Sequence, residues 1–220
     1  MGRLREFYGS MIGKKAVMGV TGLIGIGFVI LHSLGNLLVF RGPDAINSYS
    51  HFLKSTGELL WALRIVLIVA VILHVIAAVQ LTRQSRAARP IGYVKHDLQA
   101  ATIASRTMRW GGALLLAFIV VHILQFTTGT IRPARFFSHQ DVYANVVTSF
   151  RVWWVTLFYI VSMIALGYHL FHGAWSSVRS IGVSPPSPEP LHHRISLLLA
   201  ILIWAAFTAV PIAVFTGFVR

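Results

Sequence analysis

The chain has 220 residues, of which 56% are apolar and 11% charged, and its mean hydropathy is +0.73. Soluble domains carry about a quarter charged residues, so a water-soluble globule is excluded. Nineteen Lys and Arg against six Asp and Glu give a formal charge of +13. The basic residues stand mostly between long apolar runs, where they act as topology signals and contacts for anionic lipid headgroups, not as a nucleic-acid footprint. The absence of cysteine excludes disulfides, cysteine-ligated iron–sulfur clusters and c-type haem attachment in this chain. Any metal would fall to the ten histidines or to carboxylates.

A bilayer crossing needs about 20 apolar residues at ~1.5 Å each. In chain order the pattern predicts spans at 16–40, 59–81, 108–130, 152–176 and 195–217, a single transmembrane domain over residues 1–220. The first run is too long for a signal peptide and no small-residue cleavage site follows it, so it reads as a retained helix. Between the second and third spans lies the connection 82–107, where Arg89-Pro90 breaks a helix. Between the fourth and fifth, 181–191 carries Pro185, Pro186, Pro188 and Pro190 and is expected to be extended. Lys14, Lys15, Arg83, Arg86, Arg89, Lys95, Arg106, Arg179 and Arg194 fall on one side. Fewer cations, among them Arg41, Lys54, Arg132, Arg135 and Arg151, fall on the other. The excess places the N-terminus inside and the C-terminus outside.

Four spans each carry a histidine deep in the apolar run: His32, His74, His122 and His169. A lone intramembrane histidine can be a hydrogen-bonded packing residue, but four in successive spans each need partners in hydrocarbon. His32 and His122 share an outer level, and His74 and His169 an inner level, the two roughly 10 Å apart at ~1.5 Å per residue. Two bis-histidine irons stacked in one four-helix core would give this pattern. Small residues lie three, four or seven positions away: Gly25, Gly35 and Asn36; Ala70, Ala77 and Ala78; Gly129, with Gly111 further off; Ser162, Ala165 and Gly173. They would leave room for a flat macrocycle, although small residues also serve ordinary helix packing. His172 competes with His169, but Gly173 stands four residues after His169, which favours His169. His51, His96, His139, His192 and His193 fall in loops.

The residues Met18-Gly-Val-Thr-Gly-Leu and His32-Ser-Leu-Gly-Asn-Leu-Leu-Val-Phe-Arg-Gly-Pro-Asp44 resemble the first helix and following loop of a known family. So do Ala88-Arg-Pro90 and Gly167-Tyr-His-Leu-Phe-His-Gly-Ala-Trp175. That family is the single-chain di-haem cytochrome b membrane anchor of succinate dehydrogenase and fumarate reductase, the succinate:quinone oxidoreductases or complex II. The resemblance covers essentially all five spans. It implies an all-α membrane protein of five helices, the first four around two stacked b haems, in the inner (cytoplasmic) membrane of a prokaryote. His32 and His122 would hold the outer haem, His74 and His169 the inner one. The implied partners are a flavoprotein subunit, an iron–sulfur subunit, membrane lipid and a quinone, with menaquinone expected. One departure concerns protons: some di-haem relatives have a glutamate two residues before the fourth-helix ligand, and here that position is Gly167.

On this reading the chain takes electrons from the partner's iron–sulfur cluster at the inner face and passes them through haem to quinone, while succinate chemistry occurs on another chain. Arg64, Arg41, Arg106, Arg109 and Arg179 are candidate propionate contacts. Glu58 is the candidate quinol proton acceptor, with Asp44 and His51 nearby. The alternatives are the cytochrome b subunit of a hydrogenase or formate dehydrogenase, and a haem-free anchor or transporter whose histidines form polar packing or a proton path.

Overall fold

The computed structural model describes residues 2–88, 103–182 and 190–220, and every regular element among them is helical. In chain order these are α1 (Gly2–Gly9), α2 (Met11–Leu37), α3 (Pro43–Ser55), α4 (Glu58–Ala87), α5 (Ile103–Phe126), α6 (Val142–Phe150), α7 (Trp153–Ser180) and α8 (Pro190–Phe215). Helices α2, α4, α5, α7 and α8 are long and apolar enough to cross a membrane. Through the middle of each helix the outward face is apolar: on α4, Leu63, Ile65, Val66, Ile68, Val69 and Ile72 are all exposed.

Local chemistry sets the boundaries, and several differ from those expected of the bare hydropathy. Helix α2 begins at Met11, ahead of residue 16, because the Ser10 hydroxyl accepts from the Gly13 amide at 3.0 Å. Lys14 is buried in that first turn, its ammonium donating to the Gly9 carbonyl at 2.8 Å. Helix α2 gives way to a 3-10 turn at Leu38–Arg41 and stops at Gly42, whose φ of +91° an L side chain rarely adopts. Helix α4 runs past residue 81 to Ala87, carrying Arg83 and Arg86 on its last turns. Helix α5 ends at Phe126, not near residue 130: the Thr127 and Thr128 amides both bond the Ile123 carbonyl, and Gly129 then turns the chain at φ +66°. Gly129 is therefore not on the helical face of His122. Pro190 is the first residue of α8 and not part of an extended segment, a position where its missing N–H costs nothing. The expected break at Arg89-Pro90, together with Lys95, His96, Pro185, Pro186 and Pro188, lies outside the described residues.

Helix α7 is the hub, packing along α8, α5 and α2, while α4 packs along α2 and makes no other extensive helix contact. One end of the bundle is capped by α3, α6 and the residues after α8, in stretches expected to be plain loops. Val39, Ile46, Val146, Val147, Phe150, Val155, Tyr159, Val210, Val214 and Val219 form its apolar core. Polar ties fix it: Asp141 caps α6 by accepting from the Ala144 amide at 2.9 Å and also accepts from Asn47 Nδ2 at 3.0 Å. Asn145 exchanges two bonds with the Ser138 backbone, and the Tyr143 hydroxyl donates to the Arg220 carbonyl at 2.8 Å. The opposite end carries Lys14, Lys15, Arg83, Arg86, Arg106, Arg109, Arg179 and Arg194 and is the basic end.

Candidate functional site: two histidine pairs inside the bundle

The four intramembrane histidines meet in two pairs. His32 on α2 faces His122 on α5, with ring centres 5.8 Å apart and planes at 83°. His74 on α4 faces His169 on α7, with ring centres 6.1 Å apart and planes at 56°. Neither α2 with α5 nor α4 with α7 shares an extensive backbone contact, so it is the rings that reach across these separations.

Around the first pair the surroundings are aromatic. His32 stacks on Phe28 at 5.2 Å and contacts Phe207 of α8 at 5.7 Å. His122 lies against Phe118 and Phe126 at 5.6 and 5.5 Å. Its Nδ1 is 3.3 Å from the Tyr159 hydroxyl, which donates to Gln125 Oε1 at 3.2 Å. Phe207 sits one turn before Pro211, which deprives the Phe207 carbonyl of its helical donor.

Around the second pair the contacts are polar and closer to backbone. His74 Nδ1 is 3.1 Å from the Met18 carbonyl and 3.2 Å from Thr21 Oγ1. The Thr21 hydroxyl donates to the Val17 carbonyl at 2.7 Å, so its oxygen is free to accept. A Cβ on Gly22 would stand 3.4 Å from both His74 Cε1 and Ser177 Oγ. His169 Nδ1 is buried without a hydrogen-bond partner. Beside His169 opens a cavity of about 320 Å³ lined by Thr107, Gly111, Leu114, Ala165 and Tyr168.

His172 does not join either pair. It lines a separate cavity of about 530 Å³ at the basic end, with Lys15, Trp175, Arg179 and His193. The face of Gly173 is open, as are those of Gly25 and Gly111, whereas Gly35 receives the ring of Tyr49 from α3, 2.8 Å from where a Cβ would be. Arg64 is half-buried, its guanidinium 5.0 Å from the Trp61 ring centre, and Arg179 lies 5.0 Å from that of Trp175. Glu58 is exposed in the first turn of α4. Asp44 and His51 lie on α3, and His192 and His193 in the first turn of α8 instead of in loops.

Sequence reasoning quoted Thr21 and Gly22 within a motif without giving them a role, and missed Gln125 and Tyr159. Thr21 and Gln125 are polar residues inside apolar runs, which could have marked them. Nothing in the sequence singles out Tyr159 from the other aromatic residues of its span.

Among the described residues, no group of three or more His, Cys, Asp or Glu converges; the four intramembrane histidines come in twos. The molecule is thus a multi-pass α-helical membrane protein with paired histidines in its interior. No family model matches it, and no solved structure does. Among curated proteins it is 26% identical over 219 residues to the succinate dehydrogenase cytochrome b558 subunit of Bacillus subtilis (strain 168), covering 98% of each chain. This end-to-end similarity supports the resemblance read from the motifs.

Proposed function

We propose that the chain is the cytochrome b anchor of a succinate:quinone oxidoreductase, binding two b haems, one at each histidine pair. The two ring pairs carry this reading. Two imidazoles are too few for a structural zinc, which takes four protein ligands. They suit haem, whose macrocycle fills the other iron positions. The rings of each pair stand 5.8 and 6.1 Å apart, so His32 with His122, and His74 with His169, could each hold one iron between them. Ligating histidines characteristically give their second ring N–H to a carbonyl or other acceptor. His74 has such an acceptor in Met18, and His122 in Tyr159.

Bound haem would supply reversible one-electron chemistry; the chain supplies the rest. His74 is oriented by the Met18 carbonyl, so that its Nε2 is free to ligate. The His169 ring, buried with an unsatisfied nitrogen, needs a partner of that kind. Gly173 and Gly111 leave space beside it. Gly35 lets Tyr49 close the other level. The aromatic residues around His32 and His122 keep water from that pair. Arg64, within span α4, is available to a propionate if it leaves Trp61.

The basic end would face the cytoplasm and receive the flavoprotein and iron–sulfur subunits, with electrons entering at the His74–His169 level. Glu58, at the capped end, would accept a proton from quinol; menaquinone is the quinone proposed. The full-length similarity to a succinate dehydrogenase subunit favours this partner set over that of a hydrogenase or formate dehydrogenase.

A reduced-minus-oxidised spectrum and a pyridine haemochrome assay test the core of the reading. About two haems per chain are expected. A value near zero in protein made with ample haem supply would overturn it and leave the haem-free alternative. Co-purification of a flavoprotein and an iron–sulfur protein tests the assignment of partners.

A further inference from the structure

We propose that Tyr159 and Gln125 form a positioning relay that fixes the tautomer of His122 and thereby lowers the reduction potential of the haem it holds. This rests on His122 being a haem ligand. Tyr159 is 5% and Gln125 3% exposed, and Gln125 Nε2 is buried without a hydrogen-bond partner. The Tyr159 hydroxyl has one proton, and it goes to Gln125 Oε1 at 3.2 Å. Its oxygen can then only accept from His122 Nδ1, 3.3 Å away. With Gln125 in this orientation His122 carries its proton on Nδ1, which leaves Nε2 with the lone pair that would ligate iron.

The direction of the chain of bonds is what matters. Were Gln125 turned so that its amide nitrogen donated to Tyr159, the phenol would donate to Nδ1 and the proton would move to Nε2, where it blocks ligation. Four aromatic rings hold the phenol in place: Phe118, Phe126, Phe150 and Phe158 all pack against Tyr159 at 4.9–5.9 Å. A phenol polarised by its own hydrogen bond to Gln125 is a better acceptor than an isolated one. It draws on the Nδ1 proton, enriches Nε2 and favours ferric over ferrous iron. The other level differs: His74 bonds a backbone carbonyl, which no side-chain substitution removes.

The test is redox titration of the purified complex with both haems resolved. Tyr159→Phe should retain about two haems and raise one midpoint potential, that of the haem lost in His122→Ala. A loss of about tenfold in ferric preference corresponds to ~59 mV for one electron. Gln125→Leu should move the same potential in the same direction by less. The double variant should move it no further than Tyr159→Phe alone, because Gln125 acts through Tyr159. Two retained haems with both potentials unchanged in Tyr159→Phe would overturn the relay. If Tyr159→Phe fails to assemble, Gln125→Leu decides alone by the same criterion. Wild-type protein without haem would instead overturn the underlying function.

Discussion

Each proposed ligand has one nearest counterpart across the bundle, and substitutions should separate by pair. His32→Ala or His122→Ala is expected to remove one haem and leave about one per chain, and His74→Ala or His169→Ala to remove the other. The pyridine haemochrome assay and the low-temperature spectrum of what remains tell the two apart. His172→Ala should keep both, since His172 lines a different cavity; loss of the haem shared with His74 would reassign the ligand. Gly22 gives a second handle. A side chain there meets His74 and Ser177 at 3.4 Å, so Gly22→Leu should displace the His74 ring and remove the same haem as His74→Ala. The depth and grouping of the four histidines were legible because helical rise converts sequence position into height. Their hydrogen-bond partners were not, because partners such as Tyr159 come from another helix whose rotation hydropathy does not report.

Among the elements, all five long helices were legible from apolar length, whereas α3 and α6 were not. Helix α3 mixes Ile46 and Phe52 with Asp44, Asn47 and Lys54, too polar for a span and too short to stand alone. It is held by what it packs against: Ile46 enters the core of the cap, and Asn47 ties to Asp141 and Tyr143. Asp141→Ala removes the cap of α6 and this tie together. It should cost about 1–2 kcal/mol, read as a lower midpoint of thermal unfolding in detergent. Gly129→Ala should cost a similar or larger amount, about 1–3 kcal/mol from its positive φ alone. The Phe137 ring occupies the space a methyl would take. The overlong third span in the sequence reading has the same origin: hydropathy continues to residue 130, but the hydrogen bonds of Thr127 and Thr128 end the helix first.

For the molecule as a whole, the uneven charge of the two ends predicts where the proposed soluble subunits sit. Crosslinkers on Arg83, Arg86 or Arg194 should reach an iron–sulfur subunit, and crosslinks confined to the α3–α6 cap would contradict that docking. The proton route is the other global property. Of the acidic residues in the described part, none lies mid-helix in a span: Glu6 is on α1, Asp44 opens α3, Glu58 opens α4 and Asp141 caps α6. The position where some relatives carry a glutamate is Gly167, where a Cβ would stand 3.6 Å from the Trp204 side chain of α8. No carboxylate route across the membrane is therefore proposed. Glu58→Gln should slow quinol oxidation at the capped end in proteoliposomes read with a voltage-sensitive dye. Unchanged turnover would remove Glu58 from the mechanism and favour a quinone site at the basic end.

The lopsided attachment of α4 bears on how the protein survives extraction. This helix carries His74 yet packs extensively only along α2, and its exposed mid-helix face is aliphatic, so in the membrane much of its lateral support is lipid. Short-chain detergents that strip the annulus should peel α4 from the bundle while α7, gripped on three sides, stays put. The absorbance of the haem assigned to His74 and His169 would then bleach first, and re-adding lipid before α4 departs should prevent it.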